Sequence, residues 1–346
     1  MIGIGALGCL FGARLGAVAP VTLVGRWAAQ REALQRHGLA VEAAGGELQQ
    51  YSPKVEEEAE NAPAEIALVL LKSHQRREAA RRAAAVLGAS GGLALTLQNG
   101  LGHREHLASA LGQERVAVGV TSEGARVIDP GRVLHAGDGV TRIAPPPGGD
   151  SPLLSAFIDC LRKAGFTTEL VPRIDELLWG KLAINAAINP LTAVLGVPNG
   201  ELAKNPELAQ WCGRVAEEVA AVARLAGVEI PYRQAGDAAQ AALAVCRGTA
   251  SNRSSMLQDI EAGRPTEIDA ICGAVVRAAA DAGAAAPLNG ELLARVRALS
   301  AGAAASPTSS LIISPAVSPS ASPSNLAPSA FGRWLDQQLE HRRIQR

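Results

Sequence analysis

Aromatic residues are scarce in this chain, at 3% of 346 positions, so a platform for stacking nucleic-acid bases has little to be built from. Neither sign of charge is in excess. The 33 basic residues balance 33 acidic ones, and nothing draws the chain to a polyanion or an acidic membrane surface. Cysteines are few and scattered: Cys9, Cys160, Cys212, Cys246 and Cys272 form no C-x-x-C, which points to buried thiols in a reducing compartment and away from a zinc site. No apolar run approaches the roughly 20 residues of a membrane span. No charged segment precedes the first glycines, so no secretory signal is read and a cytoplasmic location is expected, with organelle targeting left open should residues precede Met1. A G-x-S-x-G elbow is missing, and serine-hydrolase chemistry has no foothold. Of the six histidines only His103 and His106 lie close together. They read as a solvated helix face, and no metal is expected.

What the chain has is small and apolar. Hydrophobic residues make up 48%, charged residues only 19%, and glycine and alanine are abundant, enough for two domains with closely packed helices. In the front half, short apolar runs (21–26, 65–72, 93–100, 115–122, 132–145) alternate with helical patterns (6–15, 27–37, 75–87), as in a parallel sheet with crossover helices. Gly38 suits the residue after a helix end, and 39–51 reads as a hairpin around Gly45 and Gly46. From 174 onward the pattern is helical, with helices expected at 174–189, 206–226, 233–247, 254–262, 267–282 and 290–299; Pro190 should end or kink the first. From 300 to 346 the chain becomes an Ala/Ser/Pro-rich flexible tail whose last residues could form a short amphipathic helix. The domains are therefore set at 1–172, 173–299 and the tail 300–346.

Two stretches carry chemistry. "GIGALG" places Gly3, Gly5 and Gly8 in a G-x-G-x-x-G ahead of a helix, a pattern that lets backbone approach a pyrophosphate and offers it helix N-terminal amides. Only Met1 and Ile2 stand before it, so the first strand of the sheet reads as cut short, which would strip hydrogen-bond partners from two neighbouring strands. At the end of the second strand, where an NAD site carries an acid, stands Arg26, whose guanidinium suits a 2′-phosphate and so NADP. Lys72 and Asn99 end two further strands, on the edge where open parallel sheets bind ligands.

The second stretch is "KLAINAAINP". Spacings of four bring Lys181, Asn185 and Asn189 onto one face of an otherwise apolar helix. An ammonium can meet the charge that develops on oxygen when a ketone accepts hydride, and carboxamides can hold a carboxylate without competing for the proton. Further on, Ser254 or Ser255 can cap a helix, and Glu267, taken as lying early in the next helix, can favour that helix's positive end.

The blocks "ELLWGKLAINAAINPLTAVLGVPNGEL" and "SSMLQDIEAGRPTEID" resemble the ketopantoate reductase (2-dehydropantoate 2-reductase) family over roughly residues 1–299. The resemblance implies an α/β Rossmann N-terminal domain and an all-α C-terminal domain, and NADPH-dependent reduction of 2-dehydropantoate to (R)-pantoate. It implies NADPH binding by Gly3, Gly5, Ala6, Leu7, Gly8, Arg26, Lys72, Asn99 and Ala125. It makes Lys181 the proton donor, with Glu267 beside it, and Asn99, Lys181, Asn185, Asn189, Asn199, Asn252 and Ser255 the substrate contacts. The expected partner is a small ketoacid, with neither nucleic acid nor membrane, in a monomer or homodimer. The lysine–asparagine spacing alone also fits reductases of other 2-keto or 3-hydroxy acids, and a shortened first strand also fits an inactive nucleotide-binding homologue.

Overall fold

The computed structural model describes residues 1–88, 91–149, 151–305 and 328–344, so most of the expected tail (306–327 and 345–346) lies outside the described residues. The chain divides into two units, Met1–Ile174 and Asp175–Arg346.

In the first unit the strands are β1 (Thr22–Val24), β2 (Leu39–Ala43), β3 (Leu48–Tyr51), β4 (Lys54–Glu56), β5 (Ile66–Val69), β6 (Leu93–Thr96), β7 (Val116–Thr121), β8 (Gly124–Asp129), β9 (Arg132–Gly137), β10 (Val140–Ala144) and β11 (Thr167–Leu170). The helices are α1 (Ala6–Leu15), α2 (Ala28–His37), α3 (Arg76–Leu87), α4 (His103–Leu111) and α5 (Pro152–Lys163). Strands β5, β6 and β7 run parallel, β7 pairs antiparallel with β10, and β1 pairs parallel with β4.

Ile2 joins these pieces, bridging in parallel to Val24 on one side and Val69 on the other. The first strand is thus a single bridged residue, yet its neighbours keep their partners. Ile2 N donates to Leu68 O and Leu70 N to Ile2 O, both at 2.8 Å; Gly3 N donates to Val24 O at 2.9 Å and Val24 N to Met1 O at 2.8 Å. Ile2 is fully buried, and four ladder bonds satisfy the backbone that a missing strand would have left unpaired. The core beside it is aliphatic, with Phe11 of α1 stacked on Phe166 at 4.2 Å between ring centroids. A second sheet, ordered β3-β2-β9-β8, carries the expected hairpin at Gly45 and Gly46, with Gly46 at φ +89°. Strands β4, β8 and β11 are short or amphipathic and do not stand out as apolar runs in the sequence.

The second unit is helical: α6 (Asp175–Leu195), α7 (Asn199–Lys204), α8 (Pro206–Leu225), α9 (Asp237–Gly248), α10 (Ser255–Glu261), α11 (Cys272–Asp281), α12 (Pro287–Ala305) and α13 (Pro328–Ile344). Alanine and glycine let these helices approach closely: a Cβ added to Gly213 of α8 would lie 2.9 Å from Ala239 Cβ on α9. Several expected boundaries move. Helix α6 runs through Pro190 to Leu195, α9 begins at Asp237 and not at 233, α11 begins at Cys272 and leaves Glu267 in the turn before it, and α12 runs from Pro287 to Ala305. No helix among the described residues is long and apolar enough to cross a membrane.

Candidate active site

The glycines of "GIGALG" divide their work. Gly3 has φ +120°, and a Cβ there would press on the Leu70 carbonyl at 3.0 Å, so this position needs glycine twice over. A Cβ on Gly8 would sit 2.0 Å from Gly3 O, so the first turn of α1 lies directly on the loop that precedes it. Gly5 is different. Nothing lies within 4 Å of the Cβ it lacks, and no side chain caps the helix start. The Ala6, Leu7 and Gly8 amides thus begin a helix behind an open glycine face, where the positive end of the dipole favours an anion. This is a cradle that fits a pyrophosphate.

Parallel pairing puts the ends of β1, β5 and β6 on the edge where Gly3 follows Ile2. Arg26 leaves β1 there, exposed, with its guanidinium on the Glu58 carboxylate at 2.9 Å. Lys72, half-buried, opens a 3₁₀ turn (Ser73–Gln75) after β5. Asn99 follows β6, and its carbonyl oxygen lies 2.7 Å from His103 Nε2. His103 is buried and His106 is exposed, so the pair is not a uniformly solvated face.

Ala125 belongs to the other sheet, half-buried on β8 opposite His135 of β9. Beneath it runs a chain that the sequence did not reveal. Arg14 Nη2 is 3.1 Å from His135 Nδ1, and His135 Nε2 is 2.9 Å from Glu123 Oε2. A guanidinium can only donate, so Nδ1 accepts and Nε2–H donates to the carboxylate. Glu123, His135 and Asp138 bring donor atoms within 4.8 Å of one another. With both ring nitrogens engaged and a guanidinium adjacent, the group acts as a clasp joining α1, β9 and the connection before β8.

In the second unit α6 sets out the polar stripe. Leu182, Ala183, Ala186, Ala187 and Ile188 are buried, while Lys181, Ile184, Asn185 and Asn189 keep partial exposure. Pro190 has no N–H for the Ala186 carbonyl. The thiol of Cys272 approaches that oxygen at 4.0 Å. Thr192 Oγ1 lies 2.8 Å from Ile188 O, 3.0 Å from Asn189 O and 2.7 Å from Ser254 Oγ, which ties the helix across its proline to the start of α10. Before the lysine, Tyr232 donates its hydroxyl to Gly180 O at 3.0 Å, and Pro231 packs 3.0 Å from where a Gly180 Cβ would stand.

Loss of hydration lowers the Lys181 ammonium from its ordinary range to about 8, and the negative charge of Glu267 opposes that shift. Glu267 itself is buried. Asn199 opens α7 and is buried too. Its Nδ2 donates to Thr249 Oγ1 at 2.9 Å, and Thr249 spends its own proton on Val245 O at 2.7 Å. That fixes the amide orientation and leaves Asn199 Oδ1 without a hydrogen-bond partner among the described residues. The Asn199 N–H also donates to Asn252 O at 2.9 Å, so this residue shapes the loop on which the exposed Asn252 side chain sits. Ser254 caps α10, accepting from Leu257 N at 3.1 Å, and Ser255 is exposed on the first turn.

Comparison with known proteins covers both units. Family models described as "Ketopantoate reductase PanE/ApbA" and "Ketopantoate reductase PanE/ApbA C terminal" match residues 1–148 and 173–300. A 2-dehydropantoate 2-reductase of Archaeoglobus fulgidus is 36% identical over 303 residues, covering 87% of this chain and 97% of that protein. One from Halobacterium salinarum is 34% identical over 83% of this chain and 93% of its own length. The crystal structure of a PanE/ApbA family ketopantoate reductase from Ralstonia eutropha JMP134 superposes with a TM-score of 0.78 at 30% identity, over 87% of this chain and 98% of that one.

Proposed function

The chain belongs to the ketopantoate reductase family, and on that premise we propose how its residues carry the NADPH-dependent reduction of 2-dehydropantoate to (R)-pantoate, a step toward pantothenate and coenzyme A. NADPH, when bound, supplies a hydride to the ketone carbon. Everything else falls to side chains. The observation that carries the reading is Lys181: an ammonium on a half-buried polar stripe, lowered by burial to about 8 and supported by Glu267. A proton donor works best with a pKa near the operating pH, and this one holds its proton at neutrality while giving it up readily to an oxygen that becomes negative. Glu267 keeps the buried cation charged.

Asn185 and Asn189, one and two turns along α6, orient the ketoacid, together with Asn252 and Ser255, both exposed, and with Asn199 beneath the loop. In the first unit Gly3, Gly5, Ala6, Leu7 and Gly8 hold the pyrophosphate of the cofactor and Arg26 takes its 2′-phosphate. Lys72 and Asn99 serve the nicotinamide and substrate end, and Ala125 lies against the cofactor. The five free thiols fit a reducing compartment such as the cytoplasm.

The test is turnover followed by NADPH absorbance with a panel of 2-ketoacids. 2-Dehydropantoate should be the preferred substrate, and Lys181→Ala should lose at least ~100-fold in kcat, the low end for general acid catalysis. A variant that kept near wild-type turnover would remove Lys181 from the mechanism.

A further inference from the structure

The fork at the end of β1 is already held. Arg26 Nη2 lies 2.9 Å from each carboxylate oxygen of Glu58, Arg26 Nε is 3.3 Å from Glu58 Oε1, and Glu78 Oε1 is 3.4 Å from Arg26 Nη1. Strand pairing explains the first contact. Val24 stands in register with Glu56, and Gly25 N donates to Glu56 O at 3.1 Å. Two residues beyond that pair, Arg26 and Glu58 leave adjacent parallel strands side by side.

Glu78 has other commitments. Hydrogen bonds from Arg81 and Arg82 hold its carboxyl down at about 2, so it stays ionised and engaged. Arg81 stands 3.8 Å from Glu58 but 3.1 Å from both Glu60 and Glu78. Glu58 is therefore the carboxylate whose main partner is Arg26. Its side chain is 41% exposed, with room to turn aside.

A carboxylate on a guanidinium fork takes the same N–H groups that a phosphate would take. We propose that Glu58 is a specificity-determining residue for the cofactor, competing with the 2′-phosphate of NADPH for Arg26 and offering an acceptor to the 2′-hydroxyl of NADH. An acid beside the adenosine ribose does the latter in NAD sites, where it follows the second strand. Here the acid arrives from a neighbouring strand and faces an arginine, so the chain discriminates between the two cofactors less sharply than Arg26 alone would make it. This rests on the reading that Arg26 faces the adenosine ribose.

The test is calorimetric titration of the full chain with adenosine 2′,5′-bisphosphate and with 5′-AMP, which lacks the 2′-phosphate. Glu58→Gln keeps the shape and removes the charge. It should bind the bisphosphate about tenfold tighter, the scale of one relieved like-charge contact, with no gain for 5′-AMP. The NADPH-to-NADH ratio of kcat/KM should rise by a similar factor. Arg26→Ala should weaken the bisphosphate and leave 5′-AMP nearly unchanged. If Arg26→Ala weakens the bisphosphate while Glu58→Gln matches wild type in affinity and in cofactor ratio, the proposal is overturned and the reading of Arg26 stands. If Arg26→Ala binds the bisphosphate as wild type does, both fall.

Discussion

At Lys181 two opposing effects meet, and loss of hydration outweighs the neighbouring charge. Loss of hydration disfavours its charge, Glu267 favours it, and the balance leaves the ammonium at about 8. Activity that depends on the protonated form should fall as pH rises through that value. Glu267→Gln removes the favourable charge, so the basic limb of the kcat/KM profile should move to lower pH by about one unit, the ordinary size of such a neighbour effect. Asn185→Ala should raise KM and leave the limb in place. An unmoved limb in Glu267→Gln would show that the carboxylate does not act on the lysine. Stability follows the opposite course. Between about 8 and the ~10.4 of an unfolded lysine, the unfolded chain binds more protons, so this group's contribution to stability rises with pH across that window. At this scale the sequence showed what is local. Three polar residues spaced by four on an apolar helix can be read from the letters alone. Glu267 cannot be joined to Lys181 that way, because packing of distant turns sets their interaction, and Glu58 became meaningful only through strand register with Arg26.

Helix α6 shows why element boundaries were harder to read than element types. A proline inside a helix costs about 3 kcal/mol, and on propensity alone the helix should stop near Pro190. It continues because Leu191, Val194 and Leu195 are buried, each worth roughly 1.5–3 kcal/mol, so the sum outweighs the break. Thr192 then joins the second half of α6 to Ser254. Thr192→Val preserves shape and removes the hydroxyl, so the buried Ser254 Oγ loses its Thr192 partner. We expect a loss of about 1–3 kcal/mol in urea denaturation. KM for the ketoacid should rise more than kcat falls, since Asn189 sits at the join. Equal stability in the variant would mean that the threonine link does not hold the helix. The same logic displaced the start of α11: the stretch around Glu267 has helical composition, but its backbone turns to bury Ile268 and Ile271 before the helix begins.

For the molecule as a whole, the C-terminal helix α13 is the part that local sequence placed least well. Its letters suggest an amphipathic helix and give no hint of what it covers. It lies on the second unit, where Phe331 and Leu335 are fully buried and Trp211 of α8 packs 4.6 Å from the Phe331 ring and 5.8 Å from that of Trp334. The match to the family's C-terminal model ends at residue 300, so this helix extends the family's core with an added layer. Two kinds of contact hold it. The Arg295–Asp336 ion pair is exposed and screened by solvent, and such pairs contribute little. The aromatic cluster is dry and interlocked, so it decides the outcome. Phe331→Ala should cost about 3–5 kcal/mol, the range for deleting a buried ring, and lower Tm by roughly 10 °C for a unit of this size. Trp27, which is 43% exposed, is the matched control: Trp27→Ala should change stability by no more than about 0.5 kcal/mol. If Phe331→Ala melts with the wild type, α13 is not seated on α8 in solution. If it melts early, residues beyond the family's core are part of what keeps the lysine-bearing unit folded.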